Sequence, residues 1–168
     1  EIRGIRQLAS ASLIARFPIE AAGPVNSGSL AEFLAGSGSK IRLLGSLGRR
    51  EVSKLLVGAS AGLVTYLPMP NHVEALPTKI FEYMAAGLPV IASNFPLWRE
   101  IVEGGECGRC VDPSDPRAIA AAIDEIVGNP ELARRMGSNG RRLVEERYNW
   151  AIEERTLLDL YQELEKSP

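Results

Sequence analysis

Cysteine, histidine and aromatic residues are scarce in this chain of 168 residues, which has two cysteines, one histidine and 6% aromatic residues. The formal net charge of −2 provides no basic surface to face phosphates, so we do not expect nucleic-acid binding. The sequence also lacks an apolar run of membrane-spanning length and a charged-then-apolar leader. We therefore expect a soluble, cytoplasmic protein, and peripheral contact with the inner face of a membrane is compatible with this composition.

The two cysteines form the motif Cys107-Gly-Arg-Cys110. A redox motif of this spacing needs a strand before it and a helix that begins at the first cysteine, whereas this pair follows a glycine-rich turn and enters a predicted strand. A zinc site needs a second pair of ligands, which the sequence lacks. We therefore interpret both cysteines as small apolar residues and predict no metal site.

Three other polar residues have an ordinary structural interpretation. His72 follows Pro70-Asn71, where a solvent-exposed loop residue is expected rather than a general base. Asp112 precedes a proline, and Asp115 precedes a predicted helix. Turn formation and helix capping explain both carboxylates without a divalent metal.

Hydrophobic residues make up 45% of the sequence, which is enough for one buried core and a single domain over residues 1–168. Short apolar segments alternate with helical ones, which predicts an α/β fold with a parallel sheet covered on both faces. We predict strands over 19–24, 41–44, 63–66, 89–93 and 108–111, and helices over 4–15, 30–34, 51–57, 78–86 and 97–102. Three consecutive helices follow, over 118–127, 131–147 and 151–165.

The two ends of the chain suggest that it belongs to something larger. The last helices either pack on the outside of the sheet or reach towards another part of the protein. Tyr148 and Trp150 lie between two of these helices, and we interpret both as packing anchors. Glu1-Ile-Arg3-Gly4 reads as a loop entering a helix with no strand before it. We interpret the chain as a fragment whose missing half supplies the other wall of an active site.

Two glutamates eight positions apart, Glu74 and Glu82, mark the candidate site. Glu74 is expected in a loop after a strand, and Glu82 in a helix whose first position is taken by Pro77. Open α/β sheets bind ligands at the carboxyl ends of their strands, and a helix N-terminus attracts phosphate. The pair is therefore suited to accept hydrogen bonds from a ligand's hydroxyls. The competing interpretation is that both are ordinary exposed glutamates.

Other groups near this site carry donors or positive charge. Lys79 in the first helical turn opposes the helix dipole unless an anion lies nearby, and Thr78 adds a hydroxyl donor. Arg3 is expected in a loop on the same edge, where it is either a phosphate ligand or a frayed terminal residue. The segment Gly45-Ser46-Leu47 follows another strand, and it either meets a nucleobase or forms a simple turn.

The segment from Glu74 to Ala92 resembles the E-x7-E signature of retaining, nucleotide-sugar-dependent glycosyltransferases of family 4, which have the GT-B fold. The residues from Glu82 to Val90 are similar to the family's E-x-M-A-x-G-x-P-V ending. The resemblance extends over nearly the whole chain, through Arg3-Gly4, Gly45, residues 104–113 and Tyr148-Asn-Trp150.

This resemblance implies a Rossmann-like, doubly wound parallel sheet with extra C-terminal helices, forming the donor-binding half of a two-domain enzyme. It implies that Glu74 binds hydroxyls of the donor sugar and is the catalytic residue, and that Glu82 binds the ribose diol. Arg3 takes the place of a diphosphate-binding lysine. The other donor contacts expected are Thr78, Lys79, Leu76 and Leu47.

The reaction implied is transfer of a hexose from a nucleotide sugar to a glycan or lipid-linked acceptor, in surface polysaccharide or glycoconjugate synthesis. No cofactor or metal is expected, the acceptor would be bound by an N-terminal domain that the chain does not contain, and the fragment alone is expected to be inactive. Two alternatives stay open, namely a catalytically silent nucleotide-binding module and a nucleotide-sugar epimerase of the same fold.

One segment departs from the family. Gly-Phe-Gly usually follows the first glutamate, whereas Ala75-Leu76-Pro77 stands here. Pro77 removes one backbone donor, so we expect phosphate to be held more by side chains, such as that of Lys79, than by the backbone.

Overall fold

The structure, a computed structural model, describes residues 3–24 and 28–166, without the side chain of residue 166. Its helices are α1 (Ile5–Ile14), α2 (Gly28–Gly36), α3 (Arg49–Gly58), α4 (Pro70–Val73), α5 (Thr78–Ala85), α6 (Pro96–Val102), α7 (Pro116–Val127), α8 (Pro130–Glu146) and α9 (Trp150–Lys166). Its strands are β1 (Ile19–Ala22), β2 (Ile41–Gly45), β3 (Gly62–Val64), β4 (Val90–Ser93) and β5 (Gly108–Val111). The opening residues Glu1 and Ile2, which entered the fragment interpretation, lie outside the described part of the chain.

The predicted elements agree with the observed ones to within a few residues, and β5 coincides with its predicted range. β3 is shorter than predicted, because its ladder to β4 ends at the pair Val64 and Ala92. The sequence analysis missed α4, which begins with Pro70 at its first position. A helix of four residues is too short to produce a periodic apolar pattern.

The strands pair in parallel, but the described residues form two sheets where the alternation predicted one. β1 pairs with β2, and β4 lies between β3 and β5. No ladder joins β1 to β3 in the part of the chain that is described. Nevertheless Ile19 of β1 and Ile91 of β4 are buried in the same hydrophobic cluster. The predicted α/β class with parallel strands is confirmed, and the prediction of a single sheet is wrong.

The central strand β4 explains why helices cover both faces of its sheet. All four of its residues are buried, and successive side chains point to opposite faces. Ile91 packs with residues of α1 and α7, including Ala11 and Ile119. Val90 and Ala92 belong to a second cluster with residues of α5 and α6. The apolar run therefore needs helices on both sides, as the sequence predicted.

Helix α8 approaches α5 and the start of β5 closely because glycines occupy its inward positions. A Cβ added at Gly140 would lie 3.2 Å from Met84 Cγ and 3.3 Å from Cys107 Cβ. One added at Gly137 would collide with the carbonyl oxygen of Gly87. α8 therefore packs closely against α5, the helix that carries Glu82.

Both cysteines are free thiols of the core region. Cys107 is fully buried and Cys110 is half-buried. Burial raises the pKa of the Cys107 thiol to about 11, and burial together with the nearby Glu103 carboxylate raises the pKa of Cys110 to about 12. Both shifts favour the protonated thiol, as burial among apolar side chains does. Their interpretation as small apolar residues is confirmed.

The aspartates after β5 form the predicted turn and cap. The backbone N–H of Ser114 donates to Asp112 Oδ1 at 2.8 Å. Asp115 is the N-cap residue of α7 and accepts a hydrogen bond from the Arg117 N–H at 2.8 Å. Both interpretations are confirmed.

The last three helices differ in how well their apolar side chains are covered. α7 and α8 pack on the sheet, whereas several large apolar side chains of α9 are exposed. Tyr148, just before α9, packs against Phe81 in a tilted arrangement with ring centroids 5.0 Å apart, so its interpretation as an anchor is confirmed. Trp150 is 70% exposed, and for it the interpretation is wrong. The other exposed apolar residues of α9 are Leu157, Leu158, Leu160, Tyr161 and Leu164.

Candidate functional site

The paired glutamates lie on the connection that leaves the carboxyl end of β3 and leads to β4. Glu74 is the C-cap residue of α4 and begins a loop over residues 74–77. α5 follows this loop and carries Glu82. Both glutamates are exposed. The prediction that Glu74 lies in a loop and Glu82 in a helix is confirmed, and both carboxylates are open to a ligand.

The N-terminus of α5 has no side-chain cap. Pro77 is its N-cap residue, with φ −72° and ψ 130°, so it stands one position before the first helical residue. The prediction of Pro77 at the first position is thus wrong by one residue. Thr78 takes that position with an exposed side chain. The Ile80 N–H donates to the Pro77 carbonyl oxygen at 3.1 Å, so the N–H groups ahead of it, those of Thr78 and Lys79, are the ones that suit an anion.

Lys79 and Glu82 form an ion pair on the exposed side of α5. Lys79 Nζ lies 2.6 Å from Glu82 Oε2, and the two side chains are 49% and 44% exposed. The pair is at the i,i+3 spacing that favours such contacts on a helix. The attraction to Glu82 offsets the unfavourable position of the Lys79 charge near the positive end of the helix dipole. The position of Lys79 therefore does not by itself require a bound phosphate.

Arg3 lies at the carboxyl end of β3. Its guanidinium carbon is 5.9 Å from the centroid of the Tyr66 ring, two residues beyond the end of that strand. The next residue, Gly4, is the N-cap of α1 with φ 73°. A Cβ at Gly4 would collide with the carbonyl oxygen of Thr65. The close contact between Gly4 and Thr65 holds Arg3 on the edge from which the Glu74 connection departs, as expected.

His72 is buried, so the expectation of an exposed loop residue is wrong. It belongs to α4 and is 8% exposed. Its Nδ1 lies 3.0 Å from the Leu67 carbonyl oxygen, and its ring centroid is 5.1 Å from that of Tyr66. Packing against Tyr66 turns the imidazole inward. These contacts make His72 a structural support of the segment before Glu74.

Trp98 is a residue of this region that sequence reasoning missed. It is fully buried in α6, and its indole N–H donates to the carbonyl oxygen of Ala75 at 2.6 Å. Its ring meets Tyr66 and Phe95 at centroid distances of 5.7 and 4.8 Å. The only signal in the sequence was a tryptophan in a short predicted helix after the next strand, which does not reveal a contact across 23 residues.

Leu76 and Leu47 lie in two different loops. Leu76 is exposed in the loop over residues 74–77, beside Glu74. Leu47 is half-buried and follows β2, which is a strand of the two-stranded sheet. β2 ends at Gly45 with φ 66°, and the Gly48 N–H donates to Glu51 Oε2 at 2.7 Å as α3 begins. Leu47 thus follows a strand end as expected, while its contact with a nucleobase stays a prediction.

Two clefts of the described structure lie elsewhere. One, of about 380 Å³, is lined by residues of α8 such as Arg134 and Arg135 together with Asn129. The other, of about 440 Å³, lies between Glu106, Arg109 and α8. Neither is lined by a residue of α4 or α5.

No cluster of three or more histidine, cysteine, aspartate or glutamate side chains suited to a metal occurs in residues 3–24 and 28–166. What the site offers instead is two exposed carboxylates, an uncapped helix N-terminus, a lysine and an arginine. Carboxylates accept hydrogen bonds from hydroxyls, and cations with free N–H groups bind phosphate. The chemistry suits a ligand that carries both hydroxyls and phosphate.

The parallel α/β architecture matches that of solved glycosyltransferases with the GT-B fold. The chain belongs to the family "Glycosyl transferases group 1", whose model matches residues 34–143. The match includes both glutamates and leaves Arg3 outside.

Three known proteins are similar to the chain, one in sequence and two in fold. An MMP alpha-(1->4)-mannosyltransferase of Mycolicibacterium hassiacum is 32% identical over 105 residues, which are 62% of this chain and 24% of that protein. The structure of Anabaena HepE in complex with UDP matches with a TM-score of 0.83 at 18% identity, covering 96% of this chain and 46% of that one. The C-terminal domain of the group 1 family protein LpcC of Francisella tularensis matches with a TM-score of 0.72 at 20% identity, covering 89% and 81%. The match spans only about a quarter of the mannosyltransferase.

No helix in the described part of the chain is both long enough and apolar enough to cross a membrane.

Proposed function

We propose that this chain is the donor-binding half of a retaining glycosyltransferase of family 4 that uses a nucleoside-diphosphate sugar. The observation that carries the proposal is the arrangement of Glu74 and Glu82, both exposed, on either side of the uncapped start of α5. Membership of the group 1 glycosyltransferase family supports it. The structure of HepE in complex with UDP also supports it, because that protein shares the fold.

Each part of the donor has a partner in this proposal. Glu82 accepts hydrogen bonds from the ribose diol, and Glu74 accepts them from hydroxyls of the sugar, next to the reacting carbon. The diphosphate is held by Arg3, Lys79 and the hydroxyl and N–H of Thr78. Leu76 contacts the sugar, and Leu47 contacts the nucleobase.

In the reaction, the bond between the sugar's anomeric carbon and the diphosphate oxygen breaks, the acceptor's hydroxyl oxygen forms a new bond to that carbon on the same face, and the hydroxyl proton passes to the departing diphosphate. Negative charge develops on the leaving diphosphate. Cationic side chains and helix N–H groups stabilise such charge, so we propose that no metal or other cofactor is needed. A domain outside this chain would bind a glycan or lipid-linked acceptor, and the chain alone is expected to be inactive.

Calorimetric titration of the chain with UDP, GDP, UDP-glucose and GDP-mannose tests the proposal, after a thermal-shift screen against the same compounds. One nucleotide should bind saturably, and Glu82→Ala should abolish that binding because the ribose loses its acceptor. Glu145→Ala is a matched control, since Glu145 is an exposed helical glutamate paired with Arg141 at 3.0 Å. It should bind as the unmodified chain does.

Failure of every nucleotide to bind the unmodified chain would overturn the proposal. Binding that survives Glu82→Ala would overturn the assigned role of Glu82. In the longer protein, release of an epimer of the bound sugar nucleotide without transfer would identify an epimerase. The anomeric configuration of a transferred sugar, read by NMR, decides whether the reaction is retaining.

A further inference from the structure

The loop over residues 74–77 is exposed along most of its length, and its own hydrogen bonds are local. The Ala75 N–H donates to the His72 carbonyl oxygen at 3.3 Å, within the end of α4. The Pro77 carbonyl accepts from the Ile80 N–H at 3.1 Å, within the start of α5. Among the described hydrogen bonds, the one that links this loop to an element other than its flanking helices α4 and α5 is the 2.6 Å bond from Trp98 Nε1 to the Ala75 carbonyl oxygen.

The donor of that bond is held rigidly. Trp98 is fully buried, and its ring has edge contacts with both Phe95 and Tyr66. Tyr66 in turn packs against the buried ring of His72. These four rings form one aromatic cluster beneath the loop. Because the indole cannot change its orientation without disturbing the cluster, its N–H points at one place, the Ala75 carbonyl.

This bond acts next to Glu74. The peptide plane of Ala75 begins one residue after Glu74, so a fixed Ala75 carbonyl restricts the backbone from which the Glu74 side chain extends. The loop has no glycine, and none of its residues has a positive φ. Small displacements of a positioning group weaken binding and catalysis strongly.

We propose that Trp98 is a positioning residue for Glu74, setting the sugar end of the donor site through the Ala75 carbonyl. This inference rests on the proposed function, since it assigns Glu74 to the donor sugar. Trp98 itself does not touch the donor. It therefore acts on the sugar and not on the nucleotide, whose ribose is assigned to Glu82 on the other side of α5's N-terminus.

The variant Trp98→Phe keeps an aromatic ring and removes the N–H. Calorimetry should show that affinity for the sugar nucleotide that binds best, UDP-glucose or GDP-mannose, falls roughly 5- to 10-fold, as expected for a lost hydrogen bond. Affinity for the corresponding UDP or GDP should stay within about twofold, since that ligand lacks the group Glu74 binds. The change in the ratio of the two affinities is the readout that general loss of stability does not produce.

Two controls separate positioning from stability. Trp150→Phe makes the same chemical change at a residue that is 70% exposed, and both affinities should be unchanged. Val102→Ala truncates a fully buried side chain of the same helix, which should lower the melting temperature without altering the ratio.

The indole N–H groups can also be observed directly, because the chain has two tryptophans. In a sample labelled with 15N-tryptophan, the Trp98 indole N–H should exchange with solvent much more slowly than that of Trp150. It should also shift when the sugar nucleotide is added, and less when UDP or GDP is added.

The outcomes distinguish the two proposals. If the unmodified chain binds the sugar nucleotide and Trp98→Phe retains the same affinity ratio, the role of Trp98 is overturned and the donor site stands. If the unmodified chain binds no nucleotide, the proposed function fails and the role of Trp98 fails with it. Rapid exchange of the Trp98 indole N–H would overturn the anchoring bond itself.

Discussion

Lys79 Nζ lies 2.6 Å from Glu82 Oε2, so the two side chains that we assign to the diphosphate and the ribose are bonded to each other. One carboxylate oxygen of Glu82 is thus directed towards Lys79, which leaves the other for a diol. The ammonium in turn keeps donors for a phosphate, since it has three. The pair links the two ends of the proposed nucleotide contact within a single turn of α5.

The ion pair should matter more for binding than for stability. Lys79→Ala should lower the free energy of unfolding by less than about 1 kcal/mol, because an exposed pair contributes little. It should weaken binding of the best nucleotide roughly tenfold, as expected for a lost hydrogen bond to a charged group. Urea unfolding and calorimetry measure the two quantities. Arg141→Ala, which breaks another exposed helical ion pair, is the control, and unchanged affinity in Lys79→Ala would remove Lys79 from the site.

Gly4 should tolerate no side chain. Gly4→Ala places a Cβ against the Thr65 carbonyl oxygen at a φ of 73°, so we expect a loss of at least about 2 kcal/mol of unfolding free energy. Gly58→Ala is the matched control, because an added Cβ there meets nothing within 4 Å and the φ is not positive. Equal stability of the two variants in urea unfolding would contradict the close contact at the carboxyl end of β3.

The buried thiols should make the protein less stable in alkali. Their folded-state pKa values, about 11 for Cys107 and about 12 for Cys110, lie above the ordinary value of 9.0. The folded state therefore keeps protons that the unfolded state releases above pH 9, and unfolding becomes more favourable as pH rises. Their contribution is fully present below about pH 9 and is lost as pH rises through 11 to 12.

Urea unfolding of the unmodified chain and of a Cys107→Ala, Cys110→Ala double variant between pH 8 and 11 checks this expectation. The double variant should lose stability less steeply as pH rises, because it lacks the two thiols. Titration of lysine and tyrosine residues is common to both proteins and does not affect the comparison. If the free energies of unfolding of the two proteins fell in parallel with pH, burial would not be raising the pKa of the thiols. At pH 8, both cysteines of the folded chain should also react slowly with a thiol reagent.

Removal of divalent metal should not change nucleotide binding. Arg3, Lys79 and the start of α5 are the groups we assign to the diphosphate, so titrations in EDTA and in millimolar Mg²⁺ should give affinities within about twofold of each other. Arg3→Ala should weaken binding under both conditions. A clear requirement for Mg²⁺ would overturn the proposal of a metal-free site.

Local rules were sufficient for much of this fold. The apolar run of β4 predicted helices on both faces, and the caps at Asp112 and Asp115 followed from residue type and neighbouring prolines. The placement of Glu74 in a loop and Glu82 in a helix followed from the strand before them and the proline between them. These features depend on interactions within a few residues, which a sequence displays directly.

Contacts between distant segments were the source of the errors. His72 was expected to be exposed to solvent, but it is buried and its ring packs against that of Tyr66. Trp150 was expected to be a packing anchor, but its side chain at the start of α9 is exposed. One sheet was expected, but within the described residues β1 and β3 share a core without a ladder between them. None of these outcomes depends on the residue and its immediate neighbours alone.

The sequence by itself determined the chemistry available to this protein: two glutamates at a fixed spacing, a lysine between them, and a proline in place of a flexible glycine. Periodicity and capping depend on short-range sterics and hydrogen bonds, so they also determined which segments are helices and strands. Only the tertiary structure decided that Trp98 holds the Ala75 carbonyl. Side-chain rotamers and contacts across 23 residues depend on how the cores pack, which local pattern does not specify.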